Sequence, residues 1–343
     1  MKIFGLPIIK YDECLTSWLV RSANSIDECG ELQYVHSLAD PDFDLANDKV
    51  LGFLSRLGMG GEAARSCFGA RTTWLLPWEK RTAYCLLCLQ EDVSAGGSPY
   101  WRKAWCYLHC PICVKHGRLL DVADPLSIGP QKSWGVFIDE CNRQYNENIS
   151  FEIFWKRRGR VDVAVMLALI VQDFLVRAHK ANYVRLRGLD VAVSGVDILA
   201  VARLLFESFL FPRLRPPCGD GIAREMQIGL PRTGGITSVE EARKIGCSDC
   251  NTYSRMTALV LIGCVFKLFP LARFNGVRRL FSLTINVYSG EAYDIGRHGM
   301  RLSSWKEHEL TIEFLNGLPE GLKGRLGEFI YGLKNIVSDA ILG

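Results

Sequence analysis

Tyr84-Cys85-Leu86-Leu87-Cys88 and Cys113-Val114-Lys115-His116-Gly117 are the two stretches that decide how the middle of this 343-residue chain folds. Each contains two metal-binding residue types separated by two others, a spacing at which one tight turn directs both side chains at one ion. Three thiolates and one imidazole are a common ligand set of closed, structural zinc sites. The predicted zinc ligands are Cys85, Cys88, Cys113 and His116.

The ligand set has alternatives in the same segment. Cys106, His109 and Cys110 lie close to the second stretch, and Cys110 with Cys113 would complete a four-cysteine site. Free cysteine is also among the most frequently buried residue types, so these thiols are alternatively core residues that bind no metal. A CxxC followed at ribbon-like distance by a second pair favours zinc, and we favour Cys113 and His116 as that pair.

Helical patterns precede the zinc-binding segment. Residues 12–24 form a predicted helix with Asp12 and Glu13 in its first turn, where the helix dipole favours negative charge. Leu45–Leu57 is a second predicted helix, which ends at Gly58. Short helices in this order are consistent with a helix-turn-helix.

The second half of the chain is also predicted to be helical. Apolar runs of helical length cover Val161–Val184 and Gly195–Phe211. The stretch Thr237–Ser248 begins with a serine–glutamate capping box. Within it, Gly246 stands where a helix-turn-helix needs a left-handed turn, and a second helix is predicted over residues 249–269.

Two cysteines of this turn have a second interpretation. Cys247 and Cys250 are alternatively half of another metal site, but no matching pair follows them, so the turn is favoured. Further on, Leu326–Ile341 has an amphipathic pattern that predicts a helix able to pack on the domain or to bind a partner.

Together these patterns predict a mainly α fold in which helical and helix-turn-helix segments surround a small zinc-ribbon-like finger module. The predicted domains are an N-terminal helical domain with a helix-turn-helix (residues 1–75), the zinc-finger module (76–125), a linker (126–160) and a C-terminal helical domain (161–343) with a helix-turn-helix near residues 237–268.

Positive charge is concentrated around the finger. The net formal charge is +4, yet residues 1–70 carry six basic against ten acidic residues, and residues 71–118 carry seven against three. A basic segment with interleaved aromatic residues favours contact with nucleic acid, although a solvated surface gives the same pattern. We expect Tyr100 and Trp105 in the finger core. The predicted nucleic-acid or partner contacts are Arg81, Arg102, Lys103, Lys115, Arg118, Lys156, Arg157 and Arg158.

Cysteine usage and hydropathy bear on the compartment. The chain has 13 cysteines, and Lys10, Asp12 and Glu13 interrupt any secretory leader at the N-terminus. Metal-bound and buried thiols in a reducing bacterial cytoplasm fit this pattern better than disulfides. The apolar run Val163–Val171 is too short to span a bilayer, so no membrane association is expected.

Several motifs, in the same order, resemble the TniQ/TnsD family of transposon proteins. Residues 12–21 resemble the family's acidic opening with its SW-L-R pattern, and Cys14 stands where the family often has serine. The family's zinc-finger signature is matched by Arg81, Tyr84–Leu89, Tyr100–Arg102, Trp105 and Cys113–Leu120. Leu86 replaces the usual proline of that signature. The resemblance covers about residues 1–120, and the stretch 237–274 resembles the family's C-terminal helical region only loosely.

The resemblance implies a target-selection protein of Tn7-like or CRISPR-associated transposition. Such a protein recognises target DNA, or is delivered to it on an RNA-guided effector complex, and recruits an AAA+ ATPase that regulates the transposase. Some family members sit on the effector complex as a dimer, so a homodimer is one expectation. The expected cofactor is structural Zn²⁺.

Catalysis by this chain is not expected. The sequence has no P-loop, no glycine-rich phosphate cradle and no paired carboxylates on a strand pattern. Glu91 and Asp92 lie near the zinc ligands, but four protein ligands leave no open position for a substrate. The alternatives are a helix-turn-helix transcriptional regulator with a structural zinc site, or a zinc-dependent nuclease or recombinase component.

Overall fold

Most of the residues that the structure describes are helical, and the strands among them form short antiparallel pairs. The computed structural model describes residues 5–23, 35, 38–71, 74–124, 129, 131–146, 158–186, 192–212, 221–225, 238–270, 291–302 and 304–336. The chain divides into two units, residues 1–156 and 157–343. The division falls inside the stretch predicted as a linker.

The described part of the first unit contains five α-helices and four two-residue strands. The helices are α1 (Leu15–Ser22), α2 (Asp48–Arg56), α3 (Gly61–Phe68), α4 (Leu86–Ser94) and α5 (Lys132–Asn146). The strands are β1 (Ala83–Tyr84), β2 (Ile112–Cys113), β3 (Arg118–Leu119) and β4 (Asp121–Val122), with single 3-10 turns at Trp78–Lys80 and Lys103–Cys106. Strand β1 pairs with β4, and β2 pairs with β3.

Helix α1 begins three residues later than predicted. Asp12 and Glu13 precede the helix, so the prediction that they occupy its first turn is wrong. Asp12 has a φ of 64°, and its carboxylate accepts a hydrogen bond from the backbone N–H of Ala104 at 3.0 Å. The carboxylate of Glu13 instead binds the Arg21 guanidinium one helix length away, at 2.7 Å. Asp12 and Glu13 therefore form specific hydrogen bonds with Ala104 and Arg21, instead of lying in the first turn of α1 where they would interact with its dipole.

Apolar side chains of the first three helices form one hydrophobic core. Trp18 of α1 lies against Phe68 of α3, with ring centroids 5.5 Å apart. Asn47 caps α2 by accepting a hydrogen bond from the N–H of Lys49, and Gly58 ends it with a φ of 84°. A turn over residues 57–60 then leads into α3.

The start of α1 is joined to the finger by backbone and side-chain hydrogen bonds. Glu13 forms an isolated antiparallel bridge with Arg102. The N–H of Cys14 donates to the carbonyl of Trp101 at 2.9 Å, and the N–H of Trp101 donates to Oγ of Ser17, also at 2.9 Å. Trp101 has no exposed surface. The segments predicted as separate domains 1–75 and 76–125 thus share a core.

The second unit is a helical bundle with one small hairpin. Its helices are α6 (Arg158–Lys180), α7 (Gly195–Phe209), α8 (Ile222–Glu225), α9 (Val239–Ser248), α10 (Thr252–Val265), α11 (Ala292–Asp294), α12 (Trp305–Asn316), α13 (Glu320–Arg325) and α14 (Gly327–Lys334), with a π-helical turn at Ile295–Gly299. The hairpin pairs β5 (Tyr183–Arg185) with β6 (Ala192–Ser194).

Helix α10 is the centre of this second unit. Every side chain from Ser254 to Val265 is buried, as expected for a helix that is apolar on all sides. It packs on α6, and an added Cβ at Gly263 would lie 2.6 Å from Cγ2 of Val171. Asn251 caps the helix by accepting from the N–H of Ser254 at 2.8 Å.

The serine cap predicted at the start of α9 is present, but the turn that follows this helix differs from the prediction. Oγ of Ser238 accepts a hydrogen bond from the N–H of Glu241 at 3.1 Å. Gly246 lies inside α9 with no positive φ, so the predicted left-handed turn at that position is wrong. A Cβ there would lie 2.6 Å from the carbonyl oxygen of Leu210, so close helix packing requires this glycine.

None of the helices in the part of the chain that the structure describes combines the length and the apolar content needed to cross a membrane. The C-terminal amphipathic helix is present as α14 up to Lys334, and the remainder of the predicted segment, from residue 337 onward, lies outside the described residues.

Candidate metal centre

The four predicted zinc ligands come together in the first unit. Their ligand atoms all lie within 4.8 Å of one another. Nδ1 of His116 is 3.4, 3.3 and 3.5 Å from the sulfur atoms of Cys85, Cys88 and Cys113, and the Cys88 and Cys113 sulfur atoms are 3.6 Å apart. The cluster is able to hold a metal ion.

Two local structures position these ligands. Cys85 is the residue before α4 and Cys88 lies in its first turn, so both thiols face the same side of the helix start. Cys113 ends β2, and His116 lies in the turn to β3. Gly117 closes this turn with a φ of 56°, and its N–H donates to the carbonyl of Cys113 at 2.8 Å. The glycine next to His116 is therefore part of the turn geometry.

The spacing of the ligand atoms fits a tetrahedral zinc ion. Zinc binds sulfur at about 2.3 Å and nitrogen at about 2.0 Å, which places two sulfur ligands about 3.8 Å apart and a sulfur and a nitrogen ligand about 3.5 Å apart. The four distances above are within a few tenths of an ångström of those values. The residues thus fit zinc in number, in chemistry and in separation.

Proximity of the thiols also favours a cation. Hydrogen bonds from Cys85 and Cys88 lower the pKa of Cys113 strongly. The hydrogen bond to Cys113 raises the pKa of Cys85 to about 11, and hydrogen bonds to Cys113 and Cys85 raise the pKa of Cys88 well above its usual range. Three crowded thiols cannot all ionise unless a positive ion compensates their charge. A dication would let all three act as thiolates.

Glu91 contacts His116 at Nε2, the ring nitrogen on the side away from the three thiols. Oε1 of Glu91 is 3.0 Å from Nε2 of His116, and Oε2 is 2.5 Å from Nζ of Lys115. A carboxylate that accepts from the far ring nitrogen fixes the tautomer in which Nδ1 is free to bind metal. The sequence indicated Glu91 only as an acid near the site. Its contact with His116 could have been predicted from the helix, because residue 91 lies one turn beyond Cys88 in α4.

The alternative ligands lie outside this cluster. The ring of His109 packs edge-on against Trp74, with centroids 5.3 Å apart. Cys110 is buried but is not among the four residues whose ligand atoms converge, and Cys106 lies beside Cys14 instead. Geometry therefore favours the Cys113 and His116 pair over the four-cysteine alternative. Cys247 and Cys250 belong to no such group among the described residues.

Three of the predicted contact residues have partners inside the unit. Arg81 is 1% exposed and binds both carboxylate oxygens of Asp40, at 2.6 and 2.5 Å. Burial opposes its charge, yet the bonds to Asp40 raise the pKa of its guanidinium. Arg102 is paired with Asp92 at 2.9 Å.

Lys103 is also internal, because its Nζ donates to the carbonyl of Cys67 at 2.5 Å and burial lowers its pKa. These three side chains stabilise the fold. To contact DNA or another protein, each of them would first have to break the bond that it forms inside the unit.

The remaining contact candidates differ in position. Lys115 is more exposed than Arg118, at 62% of its side-chain surface, and lies beside Val114 at the tip of the β2–β3 hairpin. Arg118 is one-third exposed and paired with Asp121. Lys156 and Arg157 lie outside the described residues. Arg158 begins α6, and its side chain is likewise not among those described.

The fold and the site define a mainly helical protein with a closed Cys3His centre able to bind a metal. No protein-family model, curated protein or solved structure matches the chain.

Proposed function

We propose that this chain is a target-selection adaptor of DNA transposition, with structural zinc bound by Cys85, Cys88, Cys113 and His116. The observation that supports the proposal best is spatial. The two motifs on which the TniQ/TnsD resemblance depends, residues 12–21 and the finger signature, are bonded to each other through Ser17 and Trp101. Motifs that meet in space are more informative than motifs that only share an order.

Individual motif residues support the same proposal. Glu13 and Arg21, at the two ends of the opening motif, form a two-bond ion pair. Arg102 of the finger signature stacks over Tyr100 and Trp105, at 4.2 and 5.0 Å from the ring centroids. The contacts within the module therefore explain why these motif positions carry an acid, arginines and aromatic residues. The proposed role requires binding surfaces and no catalytic group.

The proposed DNA-reading element is the α2–α3 pair. Two short helices joined by a four-residue turn that contains glycine are typical of a helix-turn-helix. Helix α3 buries Ala64 and Phe68 on one side and exposes Glu62, Arg65 and Ser66 on the other. An exposed second helix is what insertion into the major groove requires.

The other predicted helix-turn-helix lacks such an exposed helix. Its second helix, α10, is buried along almost its whole length, so it has no free face for a DNA groove. This burial weakens the alternative of a transcriptional regulator that reads DNA through residues 237–268. A zinc-dependent nuclease remains less favoured because a closed four-ligand site has no position for a reacting water.

The experiment that tests the proposal is purification of the tagged full-length chain from cells that express its neighbouring genes. We expect an AAA+ ATPase and either target DNA or an RNA-guided effector complex to copurify, with about one zinc ion held by the four ligands. Cys85→Ala is expected to lose this zinc and the partners. Cys141→Ala is the matched control, because Cys141 is exposed and outside the cluster.

Two outcomes would overturn the proposal. If Cys85→Ala kept both the zinc and all partners, Cys85 would not be a ligand of a zinc ion that partner binding requires. Cleavage or joining of DNA by the purified chain without a transposase would show an enzyme instead of an adaptor.

A further inference from the structure

A second group of metal-binding side chains lies in the first unit, apart from the finger cluster. It consists of Cys14 at the start of α1, Asp42 in the loop before α2, and Cys106 at the end of the 3-10 turn. One ligand atom from each lies within 4.8 Å of the others, and all three residues have no exposed surface. The predicted ligand set did not include Cys14 or Asp42.

The distance between the two sulfur atoms fits a shared ion. Sγ of Cys14 is 3.7 Å from Sγ of Cys106. Two sulfur ligands of one tetrahedral zinc are about 3.8 Å apart. In the finger cluster of the same structure, the sulfur atoms of Cys88 and Cys113 are 3.6 Å apart. The second pair therefore has the same separation as a pair in the cluster with four converging ligands.

The charges around this group also accommodate a dication. Asp42 is 3.3 Å from Nζ of Lys132 and 3.8 Å from the Arg81 guanidinium, which is itself paired with Asp40. With both thiols protonated, these two acids and two cations sum to zero. If a dication replaced the two thiol protons, the sum would still be zero. Buried groups tolerate such an exchange because it leaves no uncompensated charge.

The environment of Cys14 favours its neutral thiol. Burial, the hydrogen bond to Cys106 and the carboxylate of Asp42 all raise the pKa of Cys14. The ammonium of Lys132 lowers this pKa only in part, and a cation in direct contact would favour the thiolate further. Burial does not prevent loading, since metal can bind while the chain folds.

We propose that Cys14, Asp42 and Cys106 bind a second divalent d10 ion, zinc in the cell, through two thiolates and one carboxylate oxygen. Binding converts two thiols into two metal-bound thiolates and releases two protons. Three protein ligands leave a fourth position, and the complete burial of the group closes it to substrates. The role of the ion is to clamp three distant segments of the first unit together.

The test counts metal ions per chain in full-length protein purified without chelator, by elemental mass spectrometry. Wild type is expected to hold two zinc ions. Cys14→Ser and Cys106→Ser are each expected to hold one, and Cys141→Ser is expected to keep two because its thiol is exposed and outside both clusters. Cys85→Ser is expected to hold one, and the double variant Cys14→Ser, Cys85→Ser is expected to hold none, because the two residues belong to separate clusters.

A second measurement uses wild type alone, so that a variant that fails to fold does not leave the question open. Metal-free protein is refolded with Co²⁺, and the sulfur-to-cobalt absorption is followed to saturation. We expect saturation at two equivalents, with a smaller absorption step for the two-thiolate site than for the three-thiolate site. Saturation at one equivalent overturns the proposal, as does a single zinc ion in wild type or a disulfide between Cys14 and Cys106 in protein purified with reductant.

Discussion

Glu91 shows at the scale of single residues how the finger depends on more than its ligands. It accepts from His116 on one oxygen and binds Lys115 on the other. Loss of such an outer carboxylate typically weakens metal affinity about 10- to 100-fold. We therefore predict this loss for Glu91→Ala, measured by competition with a chromophoric chelator.

Two controls accompany the Glu91 measurement. Glu79→Ala removes an exposed acid of the same segment and is expected to leave metal affinity unchanged. Lys115→Gln, which keeps the contact between Glu91 and His116, is expected to have a much smaller effect than Glu91→Ala. Equal affinity of Glu91→Ala and wild type would contradict the proposed support of His116.

Arg81 supports a second prediction at this scale. Its buried guanidinium binds Asp40 through two bonds and also donates to the carbonyl of Leu76 at 2.8 Å. Removing one partner of a buried ion pair costs about 3–5 kcal/mol, whereas an exposed pair contributes under about 1 kcal/mol. Arg81→Ala is expected to lower the free energy of unfolding by about 3 kcal/mol in urea denaturation, and Arg118→Ala, whose pair is one-third exposed, by less than about 1 kcal/mol.

The four finger ligands could be predicted from sequence because their spacing is local. Two residues between Cys85 and Cys88 place both thiols on one helix start, whatever the rest of the chain does. The roles of Arg81 and Lys103 could not be predicted, because their partners, Asp40 and the carbonyl of Cys67, come from segments far away in sequence. A basic residue near a finger has the same local pattern whether it faces a phosphate or a buried carboxylate.

At the scale of elements, helix contacts explain where glycine is required. Gly246 of α9 approaches the carbonyl of Leu210 so closely that a Cβ would lie 2.6 Å from the oxygen. Gly321 of α13 has no heavy atom within 4 Å of an added Cβ. The two glycines therefore predict opposite effects of the same substitution.

We expect Gly246→Ala to destabilise the protein by about 1–3 kcal/mol, because the backbone must shift to relieve the overlap. Gly321→Ala is expected to stabilise it by about 0.5–1 kcal/mol, because alanine loses less conformational entropy in a helix. Thermal unfolding of both variants, followed by circular dichroism, tests the pair. If Gly246→Ala stabilised the protein, α9 would not approach the carbonyl of Leu210 as closely as described.

Element boundaries were predictable where capping is local. Ser238 caps α9 as its sequence pattern indicates, since the acceptor and donor are three residues apart. The start of α1 was not predictable, because the backbone carbonyl of Trp101 and the N–H of Ala104 compete for the residues that precede it. The strand after α6 was also missed. The apolar pattern continues through Val184, although the helix ends at Lys180 and a hairpin strand follows.

The α3 helix provides a prediction about DNA binding. Arg65 is exposed and flanks the face that buries the core residues Ala64 and Phe68. If α3 enters the major groove as proposed, Arg65→Glu places a negative charge against phosphates or base acceptors and weakens binding at least 10-fold. Lys306→Glu makes the same charge change on an exposed position of the second unit. Gel-shift titration of both variants on the same target DNA compares them, and equal affinities would contradict the role of α3.

At the scale of the whole molecule, we expect the core of the first unit to be stable only when metal is bound. Cys85, Cys88 and Cys113 belong to the same buried cluster as Trp101 and Trp105. Removal of metal leaves thiols crowded in that cluster without a compensating cation. We expect a strong chelator to lower the unfolding temperature and to reduce the near-ultraviolet circular dichroism of the buried tryptophans, with recovery on addition of zinc.

The control for metal removal is within the same molecule. Helix α10 and its neighbours have a core that contains no group of converging metal ligands among the described residues. Far-ultraviolet circular dichroism should therefore retain a large helical signal in chelator. Complete loss of helix at the same chelator concentration would contradict a metal requirement limited to the first unit.

The bonds between residues 12–17 and the finger have a consequence for how this protein can be divided or recombined. Many zinc fingers fold as independent modules, but here the N–H of Cys14 and the hydroxyl of Ser17 form hydrogen bonds with the backbone of Trp101. A fragment starting at residue 76 would leave the N–H and the carbonyl of Trp101 without these two partners, so we expect it to be less stable even with its ion in place. Transfer of the finger into another protein should succeed only when residues 12–17 are transferred with it.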